Sequence, residues 1–172
     1  LTQQQAQSEA LGDAIVLALQ LETAAERATA LQKIEKTKAP AIVQLLSAAE
    51  LTGDDRGGEA VTQLAAIQSN DNLPLIYRQI AEFKSLMIEG DGQSAEIRRV
   101  GFEGLIASGS ALRVLAEEQL ALLDVAADDV DVALVRLQRL LEDSEVTPGL
   151  RRRVTQLITA LKATPGETSM DD

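Results

Sequence analysis

The stretch "EDSEVTPGLRRRVTQLITAL", residues 142–161, decides how the chain is read. Acidic residues lead into Thr147, Pro148 and Gly149, then three arginines, then an apolar ladder. Thr147 suits a helix N-cap, and Pro148 suits the first helical position, where a missing N–H costs nothing. Leu150, Val154, Leu157, Ile158 and Leu161 recur at helical spacing and predict a buried stripe on a helix over about 147–163. Arg151, Arg152 and Arg153 fall between the stripe positions. Three consecutive residues span about 200° of a helix, so the three cannot face one ligand equally. Two readings stay open. The arginines form local ion pairs on a solvated face with Glu142, Asp143 and Glu145, or they clamp a carboxylate or acidic segment of a partner.

Working outward, the same pattern repeats along the 172 residues. Leu11, Ile15, Ala18 and Leu21 share a helical face, and Thr23 with Glu26 reads as a capping box opening a second helix that runs to about Lys36. Pro40 opens a third helix. "TGDDRGG" (52–58) and "SNDNLP" (69–74) read as turns, the former with acidic capping residues, and Pro74 starts a helix carrying Ile76, Ile80, Phe83 and Met87. "EGDGQS" (89–94) and "SGS" (108–110) break the pattern, and helices follow over about 110–124 and 128–143. No segment alternates with period two, so no strand is expected. The chain reads as about nine helices in one domain over 1–163, with a disordered acidic tail over 164–172.

An internal repeat underlies this order. Ala60, Leu64 and Ile67 align with Ala133, Leu137 and Leu140 at an offset of 73. With a one-residue shift, Pro74, Ile76, Ile80, Phe83 and Met87 align with Pro148, Leu150, Val154, Leu157 and Leu161. Four helices per unit match two tetratricopeptide-length hairpins. The expected fold is an all-α, right-handed solenoid of stacked antiparallel helix hairpins, in which neighbours share a core that no hairpin closes alone. Tyr77 and Arg78 take the place of the arginine run in the first repeat and join Arg151–Arg153 as expected partner contacts.

Composition narrows the function classes. Net charge is −11, which argues against nucleic acid and against anionic lipid surfaces. Aromatics are confined to Tyr77, Phe83 and Phe102, so the core must be aliphatic. Cysteine and histidine are absent, which removes thiol nucleophiles, Ser-His-Asp triads and nearly all zinc sites. "DVAADDVDV" (124–132) lacks the glycine and terminal glutamate of an EF-hand loop, and helix capping by Asp128 or Asp129 is the simpler reading. "GFEGLIASGS" (101–110) follows no strand, so Gly101 and Gly104 are read as allowing close helix contact. No apolar run reaches the roughly 18–20 residues that span a bilayer. The chain opens on Leu, so an anchor or signal is expected in a preceding segment.

"GLIASGSALRVLAEEQLALLDVAADDVDVALVRLQRLLEDSEVTPGLRRRVTQLITAL" (104–161), with "AQSEALGDAIVLAL" (6–19) and "LPLIYRQIAEFKSLMI" (73–88), resembles a bacterial tetratricopeptide-like family that includes the ancillary subunit of the SecYEG translocon. The resemblance implies a single N-terminal membrane helix preceding this sequence and a domain on the periplasmic side of the inner membrane. It implies non-catalytic work on a protein or peptide partner, the SecYEG translocon or periplasmic chaperones, without a cofactor. A structural or self-associating spacer domain in an envelope complex is the alternative, and it leaves room for a homo-oligomer. An enzyme with a carboxylate-only site, using pairs such as Glu117 and Glu118, is the third.

Overall fold

In the computed structural model, residues 2–35, 41–88 and 94–163 are described. Nine α-helices and no strand occur among them: α1 (Gln3–Leu19), α2 (Ala24–Glu35), α3 (Ala41–Gly53), α4 (Gly57–Gln68), α5 (Leu75–Ile88), α6 (Ala95–Ala107), α7 (Arg113–Ala126), α8 (Val130–Glu142) and α9 (Pro148–Ala163). Packing divides the chain into two compact units, Leu1–Ser94 with α1–α5 and Ala95–Asp172 with α6–α9. Pro40, most of the "EGDGQS" segment and the tail over 164–172 lie outside the described residues.

Local chemistry starts the helices where the sequence suggests. The Thr23 hydroxyl accepts from the Glu26 N–H at 3.2 Å, and Glu26 accepts from the Thr23 N–H at 3.1 Å, closing the capping box ahead of α2. Thr147 accepts from the Leu150 N–H at 3.3 Å, and Pro148 is the first residue of α9. The aspartates between helices act differently from the expectation. Asp55 and Asp128 adopt left-handed backbone, with φ of 56° and 65°, as Gly109 does at 65°. The N–H that follows each reaches back five residues to a helix carbonyl: Arg56 to Leu51, Asp129 to Asp124, and Ser110 to Leu105. These are helix C-terminal turns of the Schellman type, with Asp where Gly is usual in two of the three. The N-cap positions of α4 and α8 are Arg56 and Asp129, and neither side chain makes a cap bond.

The first unit has two cores. Ala18, Leu31 and Val43 join α1, α2 and α3, with Leu11 and Ile15 packed against them, while Leu21 lies past the end of α1 and is 40% exposed. Ala28, Leu45, Ala48, Leu51, Ala60, Leu64, Ile67 and Ala81 form the second, with Tyr77 and Ile80 against it. In the second unit Val114, Ala121, Leu137, Leu140, Val146, Leu150 and Val154 bury together, with Leu157, Ile158 and Leu161 at their edge, while Phe102 of α6 is wholly buried. Burying each large aliphatic side chain contributes about 1.5–3 kcal/mol. Consecutive helices within each unit pack on one another, from α1 against α2 to α4 against α5 and from α6 against α7 to α8 against α9.

The burial pattern of α3 and α4 repeats at one constant offset in α7 and α8, and α5 and α9 share part of it. Buried Ala41, Val43, Leu45, Ser47, Ala48 and Leu51 of α3 recur 73 positions on as buried Val114, Ala116, Glu118, Leu120, Ala121 and Asp124 of α7. Ala60, Leu64 and Ile67 recur as Ala133, Leu137 and Leu140. The one-residue shift expected for the last helix is incorrect. Tyr77 and Ala81 face the core as Leu150 and Val154 do, whereas Ile76 and Met87 are 38% and 44% exposed. The prolines misled: Pro148 is the first residue of α9, but Pro74 precedes α5, which begins at Leu75. Proline fits both places because neither needs its N–H. Gly104 also differs from the expectation. A Cβ on Gly104 would meet nothing within 4 Å, while one on Gly57 would lie 3.2 Å from Ile88 Cγ2, so Gly57 is where two helices approach closely.

Candidate interaction site

The five residues expected to contact a partner are not brought to one place. Tyr77 is half-buried against the core of the first unit, and Arg78 donates to Asp71 at 2.8 Å. In the second unit Arg151 donates to the Leu141 carbonyl at 2.7 Å, satisfying a carbonyl at the end of α8. Arg153 grips Glu118 of α7 through two bonds, at 2.9 and 2.7 Å, and these raise its pKa against the opposing effect of burial. Arg152 makes no ion pair among the described residues and is exposed. Two of the three arginines therefore hold helices together.

A denser set of charges runs across α6, α7 and α8. Asp124 is 2% exposed and accepts from Arg99 at 2.7 Å and from Arg136 at 2.9 Å. Arg136 also donates to Glu117 at 2.9 Å. Burial works against its charge, yet the bonds to Asp124 and Glu117 outweigh that and raise its pKa. Arg113 donates to Asp143 at 2.7 Å and to Glu145, which lifts the guanidinium pKa further. The same contact, with the Glu145 N–H, holds the Asp143 carboxyl below its usual range.

These pairs wall a cleft of about 440 Å³ between α7 and α8. Its other wall is apolar: Val132 and Val135, one turn apart on α8, are 50% and 48% exposed. Asp131 and Arg139 stand at the two ends of this apolar stretch, and neither forms an ion pair among the described residues. The corresponding positions of α4 are Glu59, Thr62, Gln63 and Ala66, where α8 has Val132, Val135, Arg136 and Arg139. Between α4 and α8 the buried stripe is kept in apolar character while these surface positions differ, so burial of that stripe does not require the valines.

The cleft was missed in the sequence although a signal was present. Once Ala133, Leu137 and Leu140 are taken as the buried stripe, Val132 and Val135 are apolar residues off the stripe. Chemically the site offers apolar contact and, at Arg139 and Asp131, a guanidinium and a carboxylate without an ion pair among the described residues. No group of three carboxylates that would hold a metal ion occurs among the described residues, and no helix there is long and apolar enough to cross a membrane. Comparison of the chain with family models, with curated proteins and with solved structures finds no match.

Proposed function

We propose that this protein is a non-catalytic protein-interaction module of a bacterial envelope protein, assisting or scaffolding protein translocation or periplasmic chaperone contacts. Its helix hairpins would stack as a right-handed, tetratricopeptide-like solenoid, a reading supported by the constant 73-residue spacing of buried positions. The envelope setting, with a membrane anchor preceding these residues, follows from the resemblance to the SecYEG ancillary family.

The observation that carries the contact role is the α7/α8 cleft, where exposed Val132 and Val135 lie between charges without an ion pair among the described residues, at positions where α4 has Glu59 and Thr62. A rigid helical scaffold presents such a surface at little ordering cost. The test places a photo-reactive residue at Val135 of the membrane-bound protein and identifies what it captures, with the equivalent Thr62 position as control. Capture of a protein at Val135 and not at Thr62 supports the reading. Identical captures, or none, refute it.

A further inference from the structure

Asp131 and Arg139 lie eight residues apart on α8, about 12 Å along the axis. Val135 is midway between them, with Val132 beside it. Around them the charges are already satisfied: Arg113 by Asp143 and Glu145, Arg136 by Asp124 and Glu117. What remains is an apolar patch with a negative end at Asp131 and a positive end at Arg139, neither of them ion-paired among the described residues. This arrangement is complementary to itself. If a second α8 is laid antiparallel with a two-fold axis through Val135, each Asp131 meets the other copy's Arg139, and Val135 meets Val135. A parallel pairing would set Asp131 against Asp131 and Arg139 against Arg139. A purely acidic ligand would satisfy Arg139 and be repelled by Asp131.

We propose that the α7/α8 cleft is a self-association surface, occupied by α8 of a second copy of this chain in an isologous, antiparallel contact. The proposal rests on the reading of the cleft as a contact surface and names its occupant. Repulsion between two chains of net charge −11 acts against it, but at physiological salt exposed charges are screened beyond about 8 Å. The symmetry sets one opposing pair at each end of the contact, Glu142 of either copy near the other copy's Asp128, both exposed to water. Two 13-residue helices cover less than a standard interface of about 1,600 Å², so the dimer is expected to be concentration-dependent rather than permanent.

Sedimentation equilibrium across a micromolar concentration series, at physiological salt, is expected to give a monomer–dimer equilibrium. D131R and R139D should each weaken the dimer by about tenfold or more, because the symmetry puts each substitution at both ends of the contact. The double variant D131R/R139D should recover most of the affinity, and E142Q should tighten it. The chain has no cysteine, so V135C is a lone thiol that should oxidise to an intermolecular disulfide, whereas T62C should not. A monomer at every concentration overturns the proposal, as does a dimer indifferent to the charge swaps. If the protein is monomeric and photo-capture at Val135 finds a different protein, the occupant is wrong and the contact role stands. If capture also fails, both fall.

Discussion

Asp124 is buried where the first repeat has Leu51, and its burial is sustained by two guanidiniums. A buried carboxylate is costly unless its oxygens are matched, and removing one partner of such a set leaves the others unpaired. Asp124→Ala should destabilise the protein by about 2–4 kcal/mol in urea unfolding, at the lower part of the range because Arg99 and Arg136 retain water access. Buried Ala28 and Leu31 of α2 match Phe102 and Leu105 of α6 at an offset of 74, which sets Arg99 against Ala25, so the triple variant R99A/D124L/R136Q copies Ala25, Leu51 and Gln63 and should recover most of that loss, since an uncharged set needs no charge matching. Asp143 gives a pH signature. Arg113 and the Glu145 N–H lower its pKa from the usual 3.8. The native state therefore binds this proton more weakly than the unfolded chain does. The resulting stability is present above the unfolded pKa and is lost as pH falls through the native one. Carboxyl NMR titration should place the Asp143 midpoint below 3.8, and Arg113→Ala should move it up.

At the scale of the element, the helices owe their limits to turn chemistry and their orientation to one stripe each. In α6 the glycine at 104 sits in mid-helix with open space where a Cβ would be. Gly104→Ala should therefore stabilise by about 0.5–1 kcal/mol, through helix propensity alone, as read by thermal unfolding. A loss instead would mean that a neighbour needs the space. The link between α7 and α9 shows how one element position can be solved twice. Glu118 and Arg153 form an ion pair at the positions that Leu45 and Ile80 fill with apolar contact in the first unit. The arginine run is thus three different residues in practice: one closes α8, one ties α9 to α7, and one faces water.

For the whole molecule the constant period has a measurable consequence. Leu64 and Leu137 are equivalent, wholly buried positions in the two compact units. Leu64→Ala should lower hydrogen-exchange protection in α3–α5, and Leu137→Ala in α7–α9, each by about 2–4 kcal/mol. Protection lost equally throughout the chain from either substitution would mean that the two units open as one.

Much of this organisation is local and so was legible in the residue order. A Thr three residues ahead of Glu makes a capping box wherever it lies, as at Thr23. A 3.6-residue apolar period makes a buried stripe in any helical context, as at Ala133, Leu137 and Leu140. Helical class, helix order and the repeat follow from such short-range rules. The sequence could not say which carboxylate each arginine would reach, because Glu118 and Arg153 lie 35 positions apart and meet only when α9 folds against α7. Nor could it place the α7/α8 cleft, since α7 and α9 cover Leu137 and Leu140 of α8 and leave Val132 and Val135 uncovered. Periodicity reports which side of a helix is apolar. Only packing decides which apolar residues are covered and which charges are left without a partner.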